Sequence, residues 1–146
     1  SLRGHDTPQA PTRGAQRAGD RCEYCGLSQA GQEATFHIDH VIPVAAGGPT
    51  SEENLALACV SCSLRKAARQ TATDPQTGTE SSLFHPRRDR WEDHFAFDGV
   101  RVVGRTATGR ATVDALELNR PLILAIRHEE TLRGRHPPRK KPGGPP

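Results

Sequence analysis

Apolar positions along this chain come in short, separated runs. Thr35–Val44 is rich in β-branched residues and stops against Pro43, and Ala46-Gly47-Gly48-Pro49 then marks a loop. Leu55-Ala56-Leu57-Ala58-Cys59 alternates large and small apolar residues as a second strand would. Ser63–Gln70 is rich in good helix formers, so the order expected here is strand, strand, helix. Further on, Asp98-Gly99 sits between the β-prone runs Phe95-Ala96-Phe97 and Val100-Arg101-Val102, which predicts a hairpin. Arg110–Leu118 and Asn119–Leu132 are predicted to be helical. In the second, Asn119 is the expected N-cap, Pro121 fits the first turn, and Leu122, Leu124, Ile126 and Leu132 form the expected core face. The fold class expected is α+β.

The ends lack such patterning. Residues 1–20 combine Gly, Pro, Ala, Thr and charge and are expected to be a flexible arm. Residues 134–146, GRHPPRKKPGGPP, are expected to be a disordered basic tail carrying Arg135, Arg139, Lys140 and Lys141. That leaves residues 21–133 as one expected domain with its core at 22–70. No internal repeat is visible.

Composition sharpens the picture in one respect. Mean hydropathy is −0.67, and the 146 residues include only 4% aromatics against 14 Gly and 12 Pro, so burial alone supplies a thin core and a metal staple is physically welcome. A net charge of +3 and a pI near 8.9 are compatible with a polyanionic partner and equally with plain solubility. No apolar run reaches the ~18–20 residues of a membrane span, and SLRGHDTPQA lacks the apolar stretch of a signal peptide. A cytoplasmic location is therefore expected, although Ser1 in place of an initiator Met is compatible with a longer parent chain.

All four cysteines fall in two pairs, Cys22-x-x-Cys25 and Cys59-x-x-Cys62. Two such short arms can deliver four thiolates to one tetrahedral Zn²⁺; two disulfides or free buried thiols are the alternatives. Four thiolates leave no open coordination position, so zinc held this way would be structural.

Between the pairs lie Phe36-His37-Ile38-Asp39-His40-Val41-Ile42-Pro43, Gly47-Gly48, and Glu53-Asn54-Leu55. With the two Cys-x-x-Cys pairs, this series resembles the HNH endonuclease family over about Cys22–Lys66. The resemblance implies a small ββα-metal core followed by the hairpin and C-terminal helices. It also implies a metal-dependent endonuclease acting on phosphodiester bonds, with His40 as general base, Asp39 as a ligand to Mg²⁺ or Mn²⁺, and Asn54 orienting the loop and histidine. Phe84-His85-Pro86-Arg87-Arg88-Asp89-Arg90-Trp91 also resembles the region after the core in bacterial members. The chemistry is coherent independently of the family: an imidazole titrates near ~6.5 and can take a proton from water, and a neighbouring carboxylate offers hard oxygen to a divalent cation.

One position departs from the family pattern. There the residue after the last cysteine is usually Asn or His and ligates the catalytic metal, whereas here it is Ser63, a weaker and shorter ligand. Ser63 binding the ion directly or through water, His37 substituting from the same strand face, and a domain that binds without cutting are all open at this level. Arg65, Lys66 and Arg69 on the predicted helix, and Arg87, Arg88 and Arg90 before Trp91, are the candidate phosphate contacts, with nucleic acid, DNA foremost, as the partner. Trp91 is expected to be a core anchor. Against the nuclease stand two other classes, a catalytically inactive zinc-stabilised nucleic-acid-binding module and a purely structural zinc domain. Metal-dependent cleavage and salt-dependent DNA binding separate the three.

Overall fold

The computed structural model describes Ala15 and residues 18–139. Most of the expected N-terminal arm, and Lys140 and Lys141 of the tail, lie outside the described residues. The fold is α+β. Strand β1 (His37–His40) pairs antiparallel with β2 (Leu55–Ala58) in the register His37↔Ala58 and Asp39↔Ala56, and helix α1 (Val60–Lys66) follows directly. The helix starts three residues before the expected Ser63 because Cys59 caps it, its sulfur accepting the Cys62 N–H.

A small sheet absent from the sequence reading comes next, β3 (Thr71–Thr73) paired with β4 (Glu80–Ser82). A single helical turn, α2 (Trp91–His94), leads into the expected hairpin, β5 (Phe95–Asp98) and β6 (Arg101–Gly104), turning at Asp98-Gly99 with Gly99 at φ 60°. Helices α3 (Ala107–Ala115) and α4 (Pro121–Leu132) complete the described chain.

Two details of α4 correct the sequence reading. Arg120, not Asn119, occupies the N-cap, and the Asn119 amide instead bridges to β6, accepting from Val102 N and donating to Val102 O at 2.8 Å each. The buried face carries Ile123, Arg127 and Glu130, while Leu122 and Leu132 stand 66% and 70% exposed. The polar pair is buried because each finds partners: Arg127 donates to the carbonyls of Val100 and Leu118, and Glu130 takes the Arg135 guanidinium at 2.7 Å. That second contact also alters the picture of the tail. Arg135 is pinned, and His136 is buried, packed edge-on against Phe97 and bonded to the Gly99 carbonyl at 2.8 Å, so the chain stays packed beyond residue 134.

One cluster of buried side chains runs from Ala18 to Ile123 and includes all four cysteines. Trp91 is its aromatic anchor, 1% exposed, with ring centroids 5.0 Å from Phe95 and 4.7 Å from Phe97 and its indole N–H on the Tyr24 carbonyl. Asp74, between β3 and β4, is fully buried and takes Arg110 of α3 in a bidentate pair at 3.0 and 2.9 Å, with Gln76 N and the Thr77 hydroxyl on the same carboxylate.

Two predictions follow from this frame. Ala67, which ends α1, sits at φ 47° and ψ −129°, a conformation that glycine adopts without strain and alanine does not. Ala67→Gly should raise stability by about 1 kcal/mol, read as a higher urea midpoint at unchanged slope. The Arg110 hydrogen bonds hold the Asp74 carboxyl well below its ordinary value near 3.8. A carboxyl depressed in the folded state contributes stability that is fully present above its unfolded pKa and is lost as pH falls below it toward the folded value. Urea titrations from neutral pH into acid should show that loss, and Asp74→Asn should lower stability at neutral pH while flattening the acid limb.

Candidate active site and metal centre

The two cysteine pairs meet. Cys22–Cys25 lies in a tight turn closed by Cys22 N–H to the Leu27 carbonyl and Gly26 N–H to the Cys22 carbonyl, with Gly26 at φ 79°. Cys59–Cys62 forms the start of α1. In each pair the backbone N–H of the second cysteine points at the first sulfur, at 3.5 Å for Cys25 N to Cys22 Sγ and 3.4 Å for Cys62 N to Cys59 Sγ. All four sulfurs are buried and lie within 4.8 Å of one another, and Cys25 Sγ and Cys59 Sγ are 3.8 Å apart. Zinc–sulfur bonds of ~2.3 Å in a tetrahedron require edges of about 3.8 Å, so the donor set and its size fit Zn²⁺. Burial raises the Cys22 thiol and hydrogen bonding with the other thiols raises Cys62, while hydrogen bonds from the other thiols lower Cys59. Such a cluster ionises throughout when a divalent cation compensates it.

Two buried charges brace this centre from distant parts of the chain, and sequence reasoning found neither. Arg127 of α4 is 1% exposed and reaches the Cys25 carbonyl at 3.5 Å, setting a guanidinium beside the thiolate cluster. Glu23, inside the first Cys-x-x-Cys, is fully buried, accepts the Leu57 N–H at 2.8 Å and pairs with Arg87. A charged residue within a cysteine turn gives no sequence signal that it will be buried, because its partner lies far along the chain.

Beside the cysteine centre, β1 and α1 form the walls of a cleft of about 290 Å³ lined by Asp39, His40, Ser63 and Lys66, with Tyr24 and Cys62 beneath. His40 is half-buried, and its Nε2 lies 2.8 Å from the Thr50 hydroxyl. Thr50 was not singled out from the sequence; it reaches the ring because the Gly-Gly loop turns back on itself. Asn54 lies behind the cleft, 2% exposed, its amide accepting Ile42 N–H and donating to the Ile42 and Pro49 carbonyls, each at 2.9 Å. These three bonds clamp the loop that follows His40. Gly48 is obligatory there, since a Cβ would collide with the Ile42 carbonyl oxygen. His37 does not line the cleft, but its Nδ1 is 3.4 Å from Ser63 Oγ, which ties the two candidate replacement ligands together.

The candidate phosphate contacts separate into different environments. Lys66 is 5% exposed and donates to the Val41 carbonyl at 2.6 Å, and Arg87 is 4% exposed in its pair with Glu23, so neither is the surface charge expected from the sequence. Both are buried because a partner fixes the charged head, and Arg87 is withdrawn as a phosphate contact. Arg65 pairs with Glu117 at 2.8 Å and lines a groove between α1 and α4 rather than the cleft. Arg90 pairs with Glu92 at 3.1 Å. Arg69 lies beyond the end of α1, and together with Arg88 it lines a second cleft.

Comparison with known proteins agrees with this geometry. The model of the HNH endonuclease family matches residues 22–69, the stretch that contains both cysteine pairs, β1, β2 and α1. Over that segment the chain is similar to the HNH endonuclease family. No curated protein and no solved structure matches the chain. Among the described residues no helix is long and apolar enough to cross a membrane.

Zinc assay of the purified chain should return one ion per molecule. The ~10–16 kcal/mol that structural zinc contributes to small domains is as large as the whole stability of a typical domain. Cys59→Ala should therefore lose both zinc and cooperative unfolding of the 22–69 segment. An unchanged melting temperature in Cys59→Ala would refute the assignment.

Proposed function

We propose that this protein is a metal-dependent endonuclease that hydrolyses phosphodiester bonds of nucleic acid, DNA foremost, with His40 as general base and Asp39 as ligand to Mg²⁺ or Mn²⁺. The observation that carries the reading is the opening of Asp39, His40 and Ser63 onto one cleft inside the segment that matches the family. Asn54 supports it, since its buried amide fixes the loop behind the histidine.

His40 does the proton work in this scheme. With Nε2–H donating to Thr50, the Nδ1 lone pair takes the proton of the attacking water, and Thr50 holds the ring in that tautomer. A bound divalent cation would supply electrostatic stabilisation of the phosphorane-like charge and of the leaving oxygen. The donors available to it are few: among the described residues the four cysteines are the one group of three or more His, Cys, Asp or Glu side chains close enough to share an ion. Asp39 with the Ser63 hydroxyl, or with His37 beside it, suits Mg²⁺, which keeps several waters and takes one or two protein ligands together with substrate oxygens. Lys66, at the wall of the same cleft, adds a fixed positive charge.

Ser63 favours a second reading, a zinc-stabilised module that binds nucleic acid without cutting it. Plasmid nicking with Mg²⁺, Mn²⁺ or EDTA distinguishes the two. The nuclease reading expects metal-dependent nicking that falls by about 10²–10⁴-fold in His40→Ala, with zinc content intact, and rises in Ser63→Asn. Silence of the wild type with cleavage by Ser63→Asn would establish the binding module instead.

A further inference from the structure

The β3–β4 sheet builds a second cleft next to the first. Beyond the Thr71↔Ser82 pair its ladder continues with the Leu83 N–H on the Gln70 carbonyl at 2.9 Å. This places the segment that begins at Ser82 opposite the loop that follows α1. The cleft is about 310 Å³ and is lined by Lys66, Arg69, Thr71, Ser82, His85 and Arg88. Lys66 lines both clefts, so the two adjoin.

We propose that this second cleft is a phosphate subsite, which holds a backbone phosphate flanking the scissile one in the strand being cut. The proposal rests on the nucleic-acid reading above and specifies how the strand is held.

Charge and hydrogen bonding support it from separate observations. Lys66, Arg69 and Arg88 face a single carboxylate, Asp89, whose Oδ2 already accepts the His85 backbone N–H at 2.9 Å. The nearby Arg65 and Arg90 are each in an ion pair, whereas among the described residues Arg69 and Arg88 are in none. Both are exposed, so each is available to a phosphate oxygen.

His85 supplies the second observation. Its side chain is 9% exposed, and its Nδ1 accepts the Arg87 backbone N–H at 3.1 Å, which leaves the ring proton on Nε2. That Nε2 is buried and has no hydrogen-bond partner among the described residues. A buried N–H is costly to leave unmade, and a phosphate oxygen, directly or through one water, is the acceptor that suits a wall with two exposed guanidiniums. Burial and the neighbouring Arg88 both lower the His85 pKa, which keeps the ring neutral with a single donor.

The test uses the full chain carrying His40→Ala, a DNA duplex of fixed sequence, and a set of the same duplexes in which one backbone linkage at a time is a neutral methylphosphonate. Binding is read by fluorescence anisotropy over a salt series, while wild-type cleavage is followed in parallel. The expected result is one discrete linkage, near the cut, whose neutralisation weakens binding severalfold. In the Arg69→Gln/Arg88→Gln variant that linkage should cease to matter, and the slope of log K against log salt should fall by about two. A flat or diffuse response in the parent, or a response unchanged in the double variant, overturns the subsite. The outcomes separate the two claims: a discrete response without cleavage by the wild type leaves the subsite standing and removes the nuclease, whereas cleavage with a flat response does the reverse. Absence of any binding removes the subsite.

Discussion

Four sulfurs from segments 34 residues apart can share one cation only if their backbones meet, and that requirement organises the rest of the molecule. The second cysteine pair is also the start of α1, and the first sits against β2 through the Glu23 N–H on the Leu57 carbonyl. Bringing the pairs together therefore sets α1 across the β1–β2 ladder and opens a cleft between them. The side chains at its rim, Asp39, His40 and Ser63, are held by a scaffold in which the cysteine cluster and the apolar core are continuous.

What could be read from the sequence was whatever is encoded locally. The β1, β2 and hairpin strands followed from alternation and from Asp98-Gly99, and the cysteine cluster from spacing alone. The grouping of Asp39, His40 and Ser63 was an expectation drawn from the family resemblance, and all three line one cleft. The β3–β4 pair was not legible: its strands are three residues long, and Thr71, Thr73, Glu80 and Ser82 are exposed, so no apolar rhythm marks them.

Charge was the other blind spot. Lys66, Arg87, Arg127 and Glu130 carry the formal signature of a solvated surface, yet all four are buried because each meets a partner. Three of those partners, Val41, Glu23 and Glu130's own Arg135, are set by tertiary approach or by the turn after a helix, not by helical spacing. Conversely Leu122 and Leu132 are apolar and exposed. On α4, Arg127 and Glu130 share the buried face with Ile123, and Ile126 packs against the core as expected. Thr50 escaped notice for a related reason, since only the folded Gly-Gly loop brings it to His40.

The buried pair between Glu23 and Arg87 bears on how far the 22–69 segment is a portable cassette. The family match ends at residue 69, but a carboxylate inside the first cysteine turn is neutralised from residue 87, and the guanidinium behind the sulfurs comes from residue 127. Excising residues 22–69 would strip the charge partners from the metal centre and leave Glu23 without its guanidinium. The portion that matches the family model is thus smaller than the portion that packs as one unit. Recombination that shuffles such segments between proteins would have to carry the later strands and helices with it.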